Sequence, residues 1–338
     1  MTFPKFLKLP KEIRFLILLK CDYQTLTQFS KTSKRMREEL FEDGLFWRMK
    51  TERDFKILFP NRNMSADIWR NAYVKLFRKS ERELVSNIRK RNADIVRNAL
   101  LVGVHPNILG YGVPLLEMAV VGNCDLIALS IRLGVNPNTI NQIGETALMK
   151  ACEYNKIKVA ELLLDLGADP NIQDDYGETA LMRASKRGSI LILNLLLKRG
   201  AKPNTQNRAG RTALAVACLQ NYFKIVRPLI NYGADINIRD DRGLTPLMWS
   251  CIVGGYKTVK TLLEEDALIV ADPSGYTALM FAAEEGYLDI VKLLISFGSS
   301  VNATDVNHKT ALDKAINRDQ YDIIEYLFLE GGKVGSEL

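Results

Sequence analysis

The apolar residues in the second half of the chain alternate between two helical patterns. Ile190, Leu193, Leu196 and Leu197 stand at i, i+3, i+6 and i+7, an apolar stripe along one side of a helix. Just upstream, Leu181, Ala184 and Ser185 give a shorter helix a narrow buried side of small residues. Thr179 predicts an N-cap for that helix, its hydroxyl accepting from an otherwise unpaired backbone N–H. Ala180 takes the first helical position, which Pro246 fills in another copy and suits well. Gly188 ends the first helix, Gly200 stands where a left-handed cap closes the second, and Asn204 to Gly210 predicts a polar reversal.

This pattern recurs. Gly144-Glu-Thr-Ala-Leu-Met, Gly177-Glu-Thr-Ala-Leu-Met, Gly210-Arg-Thr-Ala-Leu-Ala, Gly243-Leu-Thr-Pro-Leu-Met and Gly275-Tyr-Thr-Ala-Leu-Met follow one another. The threonines Thr146, Thr179, Thr212, Thr245, Thr277 and Thr310 are spaced by 33, 33, 33, 32 and 33 residues. Val113, in Val113-Pro-Leu-Leu, lies 33 before Thr146 and marks a more degenerate copy. A second signature, Leu-Leu-x-x-Gly-Ala-x-x-Asn, ends units at Asn171, Asn204, Asn237 and, with Gly-Ser, at Asn302. One helix pair cannot bury its apolar side alone, so copies must stack into a solenoid.

Period, order and both signatures resemble the ankyrin-repeat family. The resemblance implies an all-α solenoid of helix pairs with β-hairpin loops, about seven units over residues 109–332, preceded by a degenerate capping repeat at 84–108. Where the family usually has His, this chain has Met149, Met182, Ala215, Met248, Met280 and Asp313, so the hairpin bonds of that imidazole must be absent or replaced. The unit after Thr245 is one residue short and reads Glu265-Asp-Ala-Leu-Ile-Val where Gly-Ala is expected, which predicts a distorted hairpin.

Residues 7–55 do not repeat. Pro10 opens a helix carrying Ile13, Leu16 and Ile17; Asp22 caps a second with Leu26 and Phe29; Lys31 to Leu40 reads as a third. So small a unit holds more apolar residues than it can bury alone. Leu9-Pro-Lys-Glu-Ile13 through Ile17-Leu18, then Leu26, Thr32-Ser-Lys-Arg-Met36 and Phe46-Trp47, resemble an F-box, a small three-helix domain. Ser33 and Met36 replace the Cys and Trp of the family's middle region. Trp47 to Phe55 and Asp67 to Tyr73 resemble the stretch after the F-box-like region of elongin A. Residues 56–83 read as a helical linker: Ser65 caps a helix whose Ile68, Trp69, Ala72, Tyr73, Leu76 and Phe77 share one side.

Charge divides the chain in the same place. Residues 1–80 hold 18 Lys+Arg and 9 Asp+Glu, a net +9, whereas residues 81–338 hold 28 and 30, a net −2. Two modules with different partners are expected. The basic run Lys31-Thr-Ser-Lys-Arg-Met-Arg37 lacks aromatic interleaving or a groove-reading motif, so a solvated F-box helix face is favoured over nucleic-acid binding. Phe15 to Leu19 is too short to span a bilayer, and Met1-Thr-Phe-Pro-Lys leads into no signal-peptide core, predicting no membrane and a cytoplasmic or nuclear chain. Cys21, Cys124, Cys152, Cys218 and Cys251 are odd in number and lack C-x-x-C spacing, as expected of free thiols. Cys152, Cys218 and Cys251 share one repeat position and read as buried small hydrophobes. His105 and His308 fall at a repeat end and in a turn; no nucleophile has a His partner, and Gly110-Tyr-Gly-Val lacks phosphate-loop spacing. No metal, cofactor or catalytic residue is expected.

The joint resemblance implies a substrate-recognition adaptor of an SCF-type cullin–RING ubiquitin ligase. Leu9, Pro10, Ile13, Ile17, Leu26 and Phe29 would face the Skp adaptor. The alternatives are a non-ligase scaffold or masking protein, or a nucleic-acid-associated regulator using the basic N-terminus. Fusion of the two domains resembles proteins of large DNA viruses that redirect host ubiquitination, which would place the chain in a host cell. A monomer is expected. At period 33, Lys150, Arg183 and Arg187 make the early first helices basic, while Val216, Leu219, Trp249, Ile252 and Phe281 make the middle ones apolar. These residues are expected to form an exposed target-binding face, with Trp249 its centre.

Overall fold

The computed structural model describes residue 71 and residues 84–101 and 114–337. They fall into two compact units, divided between Thr139 and Ile140. The described residues are helical and contain no extended strand.

In the first unit, helical residues 84–89 precede α1 (Ala93–Leu101), α2 (Pro114–Val121) and α3 (Cys124–Arg132). Leu84, Ile88, Val96, Leu100, Met118 and Ile127 are buried in this unit. Asn123 caps α3 by accepting from the Leu126 N–H at 3.0 Å. Arg89 forks onto the Glu117 carboxylate at 2.6 and 3.1 Å.

The second unit stacks six helix pairs. They are α4 (Ala147–Glu153) with α5 (Ile157–Asp165), α6 (Ala180–Arg187) with α7 (Ile190–Lys198), and α8 (Ala213–Leu219) with α9 (Phe223–Asn231). Next come α10 (Pro246–Ile252) with α11 (Tyr256–Glu264), α12 (Ala278–Glu284) with α13 (Leu288–Ser296), and α14 (Ala311–Asn317) with α15 (Tyr321–Leu329). The first helix of each pair packs on the first helix of the next, and the second on the second. The six threonines predicted as N-caps all serve: each hydroxyl accepts the N–H three residues on. Small residues let the first helices pack closely, and the stripe read from Ile190 holds at Leu193, Leu196 and Leu197 but begins at Ile192. Ile192, Leu193, Leu196 and Leu197 are buried, whereas Ile190 and Leu191 face solvent. Cys152, Cys218 and Cys251 are fully buried, and burial pushes their thiols up, that of Cys218 to about 12.

The turn before each first helix is tight because the next turn lies on it. Gly243 has φ +79°, and a Cβ there would stand 2.2 Å from the Pro273 ring. His308 holds the equivalent place with φ 56° and is exposed. The turns themselves are linked: the Asn204 carboxamide donates to the Gly233 carbonyl at 2.9 Å and accepts from the Asp235 N–H at 2.8 Å. Asn171 and Asn302 repeat the arrangement. The expected distortion after Thr245 does not occur. Asp266 adopts the left-handed conformation (φ 62°) in place of glycine, and Asp272 N–H still donates to the Tyr276 carbonyl at 2.8 Å. What that unit lacks is the linking asparagine, since Val270 stands in its place.

Candidate interaction surface

The turns and first helices of the second unit carry a repeated polar device that the sequence pattern alone did not reveal. Asp174, Asp240 and Asp305 occupy equivalent turn positions. The Oδ1 of each accepts two backbone N–H groups of its own turn: Tyr176 and Glu178 at 2.9 Å, Arg242 and Leu244 at 3.0 and 2.9 Å, Asn307 and Lys309 at 2.9 Å. The Oδ2 of each accepts from the side chain nine residues later: Arg183 at 2.6 Å, Trp249 at 3.0 Å and Lys314 at 2.7 Å. These carboxylates are buried, with side-chain exposures of 0%, 1% and 2%. A buried carboxylate needs its oxygens satisfied, and in these three turns the donor nine residues on meets that need. Asp272, which is half-buried, takes the Ser274 and Tyr276 N–H groups in the same way but has Phe281 as its ninth residue. Where the turn residue is Asn207, its Oδ1 takes the Ala209 and Arg211 N–H groups and the ninth residue is the non-donor Val216. The readable signal was a partial one: Asp174, Asp240 and Asp305 each have a donor nine residues on and Asn207 has Val216, whereas Asn141 has Lys150.

The device changes the picture of the predicted face. Trp249 is 6% exposed and Val216 7%, rather than open to a partner. The indole N–H is committed to Asp240, and the guanidinium carbons of Arg211 and Arg242 lie 4.5 and 5.5 Å from the ring centroid. Arg183 is likewise engaged with Asp174, Glu178 (3.0 Å) and Glu145 (3.5 Å). Lys150 bridges Glu145 and Glu153 at 2.8 and 3.2 Å. Leu219, Ile252 and Phe281 remain half-exposed, as does Val253, and Arg187 is exposed beside Lys186. Phe281 leans on Tyr276, ring centroids 4.6 Å apart. The Tyr276 hydroxyl donates to Glu284, and burial together with that carboxylate raises its pKa. Glu284 also accepts from Arg318, and Glu285 is exposed. The accessible surface therefore runs from basic on α6, through aliphatic on α8 and α10, to aromatic and acidic on α12. Leu9, Pro10, Ile13, Ile17, Leu26 and Phe29 lie outside the described residues.

Asp305 supplies a pH test of the turn device. Burial pushes its carboxyl up, but the Lys314 ammonium and the Lys309 and Asn307 N–H groups outweigh burial and hold it below the ordinary carboxylate value. A depressed folded pKa contributes stability that is present above the unfolded value and lost as pH falls through the folded value. Asp305→Asn should therefore melt below the wild type at pH 7. The gap should narrow as the pH is lowered from about 4 toward 2. A gap independent of pH would show that the charge of Asp305 contributes nothing.

Helix pairs stacked at a constant step, joined by turns that bond to their neighbours, define a repeat solenoid whose surface is its means of contact. The ankyrin-repeat family profile matches in three copies, at residues 115–207, 192–272 and 266–337, and the chain belongs to that family. The F-box domain profile matches residues 6–39, so the chain joins an N-terminal F-box to the repeats. The crystal structure of the human ASB11 ankyrin repeat domain is similar, with a TM-score of 0.59 and 27% sequence identity over 65% of this chain and 98% of that one. No curated protein matches. Both domain families are interaction modules rather than catalytic ones. Among the described residues no helix is long and apolar enough to cross a membrane.

Proposed function

We propose that this chain is a substrate-recruiting adaptor of an SCF-type cullin–RING ubiquitin ligase, working in the cytoplasm or nucleus. The observation that carries the reading is the F-box match at residues 6–39 in the same chain as an ankyrin array. The F-box, spanning residues 7–55, binds the Skp adaptor through Leu9, Pro10, Ile13, Ile17, Leu26 and Phe29. A helical linker at 56–83 and a capping repeat at 84–108 join it to the repeats at 109–332, which hold a target protein. Catalysis belongs to other subunits; this chain contributes proximity and orientation.

The target face is the accessible part of the first-helix surface: Arg187 with Lys186 on the basic side, where Lys150 and Arg183 are held by carboxylates, then Leu219, Ile252 and Phe281. Val216 and Trp249 support it from below. An acidic partner segment with apolar residues beside it fits this order, the charges steering encounter and the apolar residues supplying affinity.

Purified chain mixed with a purified Skp adaptor should bind at micromolar concentrations or tighter by titration calorimetry. Leu9→Ala with Pro10→Ala should weaken that binding at least about 30-fold, equivalent to roughly 2 kcal/mol. The helical circular-dichroism signal should not change. Absence of binding by the wild type at micromolar concentrations would end the ligase reading in favour of a scaffold.

A further inference from the structure

The last helix pair, α14 and α15, is built like its predecessors but leaves open the side that they cover. Ala283 and Val291 of the preceding pair are fully buried. The residues 33 positions on are Ile316, which is exposed, and Ile324, which is half-buried. On the same pair Tyr321 and Phe328 are 74% and 71% exposed. Together with Leu312 and Val334 these side chains line a groove of about 390 Å³. Contiguous open apolar area of this kind marks a contact site.

Charge selects the occupant. Glu325 and Glu337 are the charged residues of the groove wall, and no basic side chain lines it among the described residues. Asp319, Asp322 and Glu330 are exposed on the same pair, against exposed Lys333; Arg318 is held by Glu284. A second copy of this chain docked face to face would bring carboxylates onto carboxylates, which is repulsive. A shape that stacks on this side already exists in the molecule, since each earlier pair receives helices there. We infer that the open side of α14 and α15 is a second docking surface, taking an amphipathic partner helix with an apolar stripe and basic flanks. It lies on a different helix pair from the target face and does not depend on the F-box.

Three synthetic helical peptides test this with the full chain, read by fluorescence anisotropy. One carries a leucine stripe flanked by lysines, one the same stripe flanked by glutamates, and one the lysine composition in scrambled order. The lysine-flanked peptide should bind at least tenfold more tightly than either of the others. Tyr321→Ser with Phe328→Ser should weaken it at least tenfold with the helical signal unchanged, because both side chains are already exposed. Glu325→Lys with Glu337→Lys should reverse the preference between the two striped peptides. Equal binding of all three peptides, or binding untouched by the serine pair, would overturn the proposal. So would a concentration-dependent dimer by light scattering that the serine pair dissolves, since the occupant would then be a second copy.

Discussion

Trp249→Ala should lower the stability of the array by roughly 3–5 kcal/mol, the cost of emptying a large buried aromatic site. Two losses combine. The ring leaves a void beneath Arg211 and Arg242, and Asp240, whose side chain is 1% exposed, loses its indole donor at 3.0 Å. A thermal melt should show a drop of about 10 °C. Hydrogen exchange should place the opening first in α8, α10 and α12, because stability in a solenoid is a sum of neighbour terms. Trp249→Phe should keep most of the packing and lose about 1–2 kcal/mol for the missing indole hydrogen bond, with Arg211 still 3.5 Å from that carboxylate oxygen. A melting temperature unchanged within a degree, with target binding lost, would instead make Trp249 a contact residue.

Arg183→Leu should cost a comparable amount, about 3–5 kcal/mol, because it strands the fully buried Asp174 carboxylate. Arg183→Lys should recover only part of this. A single ammonium cannot reproduce a guanidinium that reaches Asp174, Glu178 and Glu145 together. The informative variant is the double one. Arg183→Leu with Asp174→Asn copies the pairing that the chain itself uses at Asn207 and Val216. It should restore most of the lost stability, and a double-mutant cycle should report strong coupling between the two positions. Additive losses in that cycle would disprove the dependence of the ninth residue on the turn carboxylate.

The same pairing separates what was legible in the sequence from what was not. Helix starts were legible because an N-cap is local: a threonine and the N–H three residues on decide it. The 33-residue step was legible because each unit repeats the same short-range signals, and a helix pair with one apolar side has to stack. The F-box, read at residues 7–55 and matched by the family profile at 6–39, was legible for the same reason: its signature is a compact run of residues.

Exposure was not local. Trp249 and Phe281 share one repeat position and look equivalent by period. Yet Trp249 is buried over Asp240, while Phe281 is half-exposed against Tyr276. The difference comes from what the neighbouring turn and the adjacent repeats place around each ring, including Arg211 from the preceding unit. The distortion expected after Thr245 failed for a related reason. Asp266 can take the left-handed conformation that the missing glycine would have supplied, and the stacked turns hold the hairpin in register. The open apolar side at Tyr321 and Phe328 was hidden within a pattern that reads like every other second helix. The sequence by itself thus determined the units, their order and their caps, which depend on contacts a few residues apart. Only the tertiary structure decided which equivalent side chains are core and which are surface, because burial is set by neighbours a full repeat away.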